Sequence, residues 1–437
     1  RRCEIARIEV EGRTYPFGGA CNRYYNLRQN VRYDVEKLDL VRIRQKLIFD
    51  TYAGKASEAR GRLPRVAISR SFLVGNLYPL YSTFFAELGF EPVLAEAPSR
   101  AGIDQRNAAF CYPAELAHGF FYSLLQEEPR PDYIFLPHFR SVPVPNRTSR
   151  AYVCPLVQGE PYYLQATFRE PLNRLKKAGT RVLSPLLDLG EGFSSAREAM
   201  VKTALQMGIR RRQAEAAFQK ALARQRQCRK EMVRIGKETL ARIESDPEST
   251  AVVIFGRPYN AFADEAHMGI PHKLASRGVT VLPLDFLDLK DERSKRHMYW
   301  GMGELILKAA RQVERHPQLF GTYITNFSCG PDSFLLSYFR DAMGKKPSLT
   351  LELDSHTADA GLETRIEAFL DIVAASRQLG VTVGKPRKAA PDLARLSGSN
   401  SRFGAFLDST LDRVSEGALL FGLLVWSVAQ SRPLDAY

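Results

Sequence analysis

The stretch "AVVIFGRPYN", residues 251–260, decides the architecture. Its uninterrupted apolar run reads as a buried strand, closed by a turn at Gly256. Downstream, "MGIPHKLASRGVTVLPLDFL" (268–287) reads as a helix stopped at Gly278 and followed by a second strand. "FGTYITNFSCG" (320–330) is a third strand. The same grammar runs earlier in the chain. "PRVAISRSF" (64–72) carries a buried strand at Val66–Ile68, a helix is expected over Tyr78–Leu88 with Gly89 as its stop, and "FEPVLA" (90–95) and "PDYIFLPHF" (131–139) supply two more strands. Ile68 and Ile134 are 66 residues apart, and Ile254 and Ile324 are 70. Matched offsets of strand, helix and strand predict an α/β fold of two related open parallel-sheet, Rossmann-like domains with a cleft between them.

The rest of the chain fits around that repeat. Residues 1–62 combine a strand signal at Ile5–Val10 with a Gly-rich turn and a charged segment, and 63–193 hold the first α/β domain. Residues 194–248 carry few helix breakers and predict long connecting helices. The second domain spans 249–384, with a late strand in "SLTLELD" (348–354) and a helix after it, and 385–437 read as a linker and helical tail.

At 437 residues, 45% hydrophobic and 25% charged, the composition is that of a globular protein and excludes wholesale disorder. A membrane span needs about 20 apolar residues. The uncharged stretch Gly417–Ser431 is shorter and reads as a buried helix. Thirteen Lys and Arg lie between Arg197 and Arg242 against four Glu. That excess is read as a solvated helical hairpin, so nucleic acid is not the expected partner, although basic helices of this kind can also hold an acidic surface.

Six cysteines are too few for a disulfide scaffold and point to a reducing, cytoplasmic setting. None forms a Cys-x-x-Cys pair, which argues against a zinc ribbon or a ferredoxin-type motif. Three share a context: Cys111-Tyr112-Pro113, Cys154-Pro155 and Cys329-Gly330-Pro331. Pro113 and Pro331 suit the first turn of a helix. A cysteine just ahead of a helix meets free N–H groups and the positive end of the dipole, which favour the metal-binding thiolate. Cys329 also follows a predicted strand, at the edge where open α/β sheets bind ligands. Three ordinary buried thiols remain the alternative.

Several segments together carry a resemblance: "GGACNRYYN" (18–26), "CYPAELAHG" (111–119), "AYVCPLVQGEPYYL" (151–164), "VVIFGRPYN" (252–260), "MYWGMGELILKAAR" (298–311), "NFSCGPDSF" (326–334) and "LELDSHTADAGLETRIEAFLD" (351–371). From residue 18 to about 373 the chain resembles the superfamily of 2-hydroxyacyl-CoA dehydratases, such as 2-hydroxyglutaryl-CoA dehydratase, and acyl-CoA dehydratase activase-related proteins. The activase-related branch with a domain of unknown function is the nearest in pattern. The resemblance implies a [4Fe-4S] cluster held by Cys111, Cys154 and Cys329, with one iron left open. It also implies low-potential electrons from a separate ATP-hydrolysing activase and, in the dehydratases, a thioester carbonyl reduced by one electron so that a β-hydroxyl leaves. The chain itself shows no Walker-type phosphate loop. Long family members join ATPase domains ahead of such a region, consistent with a start at Arg1. The expected role is a dehydratase or reductase component of anaerobic metabolism acting on an acyl-CoA or a small substrate, with a dimer allowed for. Alternatives are a double-cubane [8Fe-9S] reductase of small molecules, or a non-enzymatic partner that binds protein or nucleic acid through its basic helices.

Other residues are weighed beside these. Arg257 and Tyr259 follow the first strand of the second domain, where Arg could grip a phosphate or carboxylate of coenzyme A or simply tie the domains together. Ser69-Arg70 hold the equivalent place in the first domain. Glu115 and His118, three apart after Cys111, are candidate proton-transfer groups, or packed residues. Ser328 and Ser333 flank Cys329 as candidate iron ligands or helix caps. Asp354, His356 and Asp359 have metal-like spacing but read better as loop caps. Gly301 and Gly303 read as helix packing rather than a nucleotide loop, and Cys3, Cys21 and Cys228 are assigned no function.

Overall fold

Strands buried on both faces need helices on both sides, and the chain supplies them. In the computed structural model, β3 (Arg65–Ile68), β9 (Ala251–Phe255) and β11 (Leu319–Asn326) are buried at every position. Residues 5–10, 12–18, 26, 30–56, 62–106, 111–147, 151–295, 298–327, 329–355, 357 and 359–378 are described. Cys3, Cys21, Ser328, His356 and the expected tail at 385–437 lie outside them.

The fold is α/β, with two four-stranded parallel sheets. The first runs β4 (Glu91–Leu94), β3, β5 (Tyr133–Phe135), β7 (Arg181–Leu183). The second runs β10 (Thr280–Pro283), β9, β11, β12 (Ser348–Leu353). Counted within its own sheet, each has the order 2-1-3-4, with Ala67 facing Ile134 in one and Ile254 facing Thr322 in the other. In such an order the chain reverses direction across the sheet between the first and third strands. The crevice at their carboxyl ends is where α/β sheets bind ligands.

The expected third strand over 131–139 is broken. Pro137 interrupts it, and β6 (His138–Ser141) leaves the sheet to pair with β8 (Leu186–Asp188) in a separate two-stranded ladder. The first helix also differs. It runs Val74–Glu87, carrying Pro79 inside it, rather than starting at Tyr78. Pro79 is the sixth residue of this helix, past the N–H groups that lack partners in any helix, so it gives up one internal hydrogen bond, a cost set against the burial of Leu77, Leu80, Tyr81 and Phe84. The hairpin β1 (Ile5–Val10)–β2 (Arg13–Gly18) agrees with the strand signal at the start of the chain. The charged segment after it forms a helix over Leu40–Lys46, with Leu40, Val41 and even Arg44 buried.

The expected long helices form over Arg197–Gln206 and Arg211–Glu244. Part of the basic charge there is matched within the chain. Arg211 pairs with Glu198 and Glu215, Arg234 with Glu231 and Glu238, Lys220 with Glu87, and Lys237 with Asp288. Along the buried side of the 34-residue helix, Phe218 meets Phe84 edge-on, while Gln225 accepts from the Leu80 N–H and donates to the Asn76 carbonyl. At Gly236 the helix touches backbone: a Cβ there would lie 2.0 Å from the Phe286 carbonyl oxygen. Alanine is the better helix former by about 1 kcal/mol. The overlap with a fixed backbone oxygen outweighs that preference, so Gly236→Ala is expected to lose about 1–3 kcal/mol of stability. Urea denaturation reads this as a lower midpoint; an unchanged or higher midpoint would contradict the close contact. Among the described residues, no helix is long and apolar enough to cross a membrane.

Candidate functional site

The second sheet delivers two groups to its switch point. Arg257 follows β9, and Cys329 follows the adjacent β11. The guanidinium is 3% exposed. Its Nη2 donates to Cys329 Sγ, to Asp332 Oδ2 at 2.8 Å and to Asn326 Oδ1 at 3.2 Å. Its Nη1 reaches the Tyr259 hydroxyl at 3.4 Å. Asp332 also accepts from Tyr323 and Thr325, and Asn260 donates to Asn326. A buried charge is tolerable only when paired and hydrogen-bonded in this way. Burial pulls the Arg257 pKa down, but Asp332, Cys329, Tyr259 and Cys154 together hold it well above the usual arginine range.

Cys111 and Cys154 come from the first layer. Cys111 is the N-cap of the Tyr112–Leu125 helix, and Cys154 precedes the turn Pro155–Gln158, which runs on into the Glu160–Thr167 helix. The segment bearing Cys154 is laced to the second layer. Tyr152 N–H donates to the Tyr299 carbonyl at 3.2 Å, and Gly301 N–H donates to the Tyr152 carbonyl at 2.9 Å. Gly301 permits this approach, since a Cβ there would meet Val142 at 2.5 Å and Ala151 at 2.9 Å. The glycines of the 298–311 motif thus serve packing, as read from sequence. Tyr112 ties the other side by donating its hydroxyl to the Glu265 carbonyl at 3.0 Å.

Arg257 contacts Cys329 directly and lies within electrostatic reach of the other two thiols. Arg257 acts electrostatically on Cys111, Cys154 and Cys329; Cys111 feels Cys154, and Cys329 feels Cys111. The expectation that helix starts would leave these thiols ionised is corrected. Burial is the largest influence and raises all three, Cys111 to about 12. Arg257 and nearby N–H groups such as that of Ala114 pull the other way but do not win. Unliganded, the cluster of sulfurs is a set of neutral thiols, and a metal would have to displace the protons.

The other candidates are placed as follows. Glu115 is buried and pairs with Arg106 Nε at 3.0 Å. His118 Nδ1 lies 2.7 Å from the Ala114 carbonyl, which fixes the proton on Nδ1 and leaves Nε2 as an acceptor. Its ring stacks on Tyr163 at 5.4 Å, and burial lowers its pKa. Ser333 donates to the Gly330 carbonyl at 2.6 Å within its own helix. Thr357 caps Asp354, bonding its carboxylate and its N–H at 2.8 Å each. Arg70 lies over the Phe49 ring and 4.0 Å from Glu265. Cys228 is buried on the long helix.

The sequence reading missed Asp332, Tyr163 and Glu160. Asp332 stands three residues after Cys329, where an acid in a first helical turn already has a dipole explanation. Tyr163 has a buried hydroxyl with no partner and feels Glu160, Cys111 and Cys154.

Comparison with known proteins adds a family. Residues 65–287, just over half of the chain, match the family described as the CoA enzyme activase uncharacterised domain. The chain belongs to that family. The CoA enzyme activase domain so defined contains Cys111, Cys154 and Arg257, while Cys329 lies beyond the matched residues. A 35-residue stretch, 8% of this chain, is 57% identical to a phosphatidylinositol phosphate synthase of Streptomyces avermitilis. The match covers 14% of that enzyme, too little to carry an argument about activity.

Among the described residues, no group of three or more His, Cys, Asp or Glu side chains is placed to hold a metal ion.

Proposed function

We propose that Cys111, Cys154 and Cys329 hold a [4Fe-4S] cluster and that the chain works as an acyl-CoA dehydratase-like component receiving electrons from an ATP-hydrolysing activase. The observation that supports the proposal is that the buried guanidinium of Arg257 bonds Cys329 and acts electrostatically on Cys111 and Cys154 as well. When bound, the cluster supplies single low-potential electrons and an iron without a protein ligand. Arg257 offsets part of the negative charge that three thiolates bring into a buried site, and Asp332 holds the guanidinium in place. Tyr259 and Tyr163 keep water from the thiols with their rings and contribute no charge, because burial pushes both phenols well above their usual range. His118 presents a neutral Nε2, the acceptor through which a proton can be taken up beside Tyr163. The substrate is an acyl-CoA or another small molecule reduced at the site.

Anaerobic reconstitution with iron and sulfide tests this. About four iron atoms per chain are expected. Cys154→Ser should lose most of them while the thermal unfolding of the unloaded protein stays unchanged. A wild-type chain that takes up no iron, or a Cys154→Ser chain that takes up all of it, would end the reading. Iron near eight per chain would favour a double-cubane cluster instead.

A further inference from the structure

A cavity of about 430 Å³ lies between the long Arg211–Glu244 helix and both α/β layers, bounded by groups other than the three thiols. This is within the range of small-ligand pockets, about 300–1,000 Å³. One face of the long helix forms a wall, with Gln225, Cys228, Arg229 and Met232 at helical spacing. Leu77, Val144, Leu189, Phe262, Met302 and Leu305 are among the apolar groups that make up most of the remainder.

Three guanidiniums, Arg44, Arg147 and Arg229, and two carboxylates, Asp285 and the exposed Glu191, stand in its lining. Arg44 Nε donates to Asp285 Oδ2 at 2.8 Å, and its Nη2 donates to Asn76 at 2.9 Å, so this guanidinium is committed. Arg229 stands 3.9 Å from the same Asp285 oxygen, beyond hydrogen-bonding distance, and its side chain is about one-third exposed. One carboxylate thus faces two guanidiniums, and the N–H groups of Arg229 remain available. Elsewhere in the lining, Arg147 lies near Glu304, and Gln225 spends its amide on backbone. An apolar chamber with a guanidinium at the Arg229 end, ion-paired to Asp285 at 3.9 Å but making no hydrogen bond to it, complements an anion with an apolar body.

We infer that this cavity binds a small amphiphile with a carboxylate head and an aliphatic tail, the head on Arg229 and the tail among the leucine, valine and methionine side chains. This site is independent of the cluster proposal: it uses none of the three cysteines. It borders the arginine of that site, because Gly256 and Pro258 line the cavity on either side of Arg257.

The test titrates the full chain with sodium octanoate, octylamine and 1-octanol by calorimetry, with thermal unfolding as a second readout. Octanoate is expected to bind once per chain and to raise the melting temperature with concentration. Octylamine and octanol should bind at least about tenfold more weakly, for want of a charge-assisted bond to Arg229. Arg229→Ala changes a partly exposed residue, so the fold should survive while octanoate affinity falls about tenfold. Met302→Trp should fill the chamber and remove binding. No saturable binding to the wild type, equal binding of octylamine or octanol, or full affinity in either variant would overturn the assignment.

Discussion

Arg257→Ala should destabilise the protein by about 3–5 kcal/mol, the usual effect of removing one partner from a buried ion pair. The size follows from what is left behind. Asp332 is 1% exposed and would be left with only the Tyr323 and Thr325 hydroxyls as partners among the described residues. The Cys329 sulfur would lose the guanidinium at the same moment, and Asn326 would keep only Asn260 as a donor to its oxygen. Arg257→Lys should not restore the loss, because a lysine ammonium cannot serve Asp332, Asn326 and Tyr259 with the planar fork that arginine provides. The double variant Arg257→Ala/Asp332→Asn should be more stable than Arg257→Ala, since the orphaned charge has gone. Denaturant unfolding of the three proteins without metal decides the matter. A loss below about 1 kcal/mol in Arg257→Ala would mean that the network is accessible to water, and the case for a sealed thiol site would weaken with it.

The same network shows what could and could not be read from sequence. The buried strands were legible because a strand covered on both faces must be apolar throughout, as Ala251–Phe255 is. The cysteines were legible through their neighbours, since Pro113 and Pro331 mark helix starts and place Cys111 and Cys329 at helix N-termini. The balance of forces on the sulfurs was not legible. A helix start favours thiolate, but how deeply a thiol is buried depends on residues far away in the chain, and burial proved the stronger influence. Arg44 illustrates the same limit. An arginine among Leu40, Val41 and Leu47 reads as the solvent side of a helix, and only the fold supplies Asp285, 241 residues away, to make its burial affordable. β6 was misassigned for a topological reason: a continuing apolar pattern past Pro137 does not reveal which sheet the strand will join.

Glu160 yields the strongest pH dependence expected of the unloaded chain. Its carboxyl is 2% exposed and accepts from Ser71, and burial pushes its pKa up to about 8 from an ordinary 4.5, with the Ser71 bond pulling the other way. The sign follows from proton counting. Between about 4.5 and 8 the folded chain holds a proton that the unfolded chain has released, so the stability contributed by this group is complete below about 4.5. It is lost as pH rises and is exhausted above about 8. At pH 7 the loss is about 3 kcal/mol, from 1.36 kcal/mol per unit of pKa difference. Glu160→Gln keeps the shape and an acceptor for Ser71 but has nothing to ionise. The variant should match the wild type near pH 4.5 and exceed it by a margin that widens to about 3 kcal/mol at neutral pH. Urea denaturation curves of both proteins from pH 4.5 to 9 measure this directly. Two stability profiles that stay parallel across that range would show that Glu160 is already ionised in the folded protein. The charge that Tyr81 and Tyr163 feel from it would then be a permanent one beside the thiols.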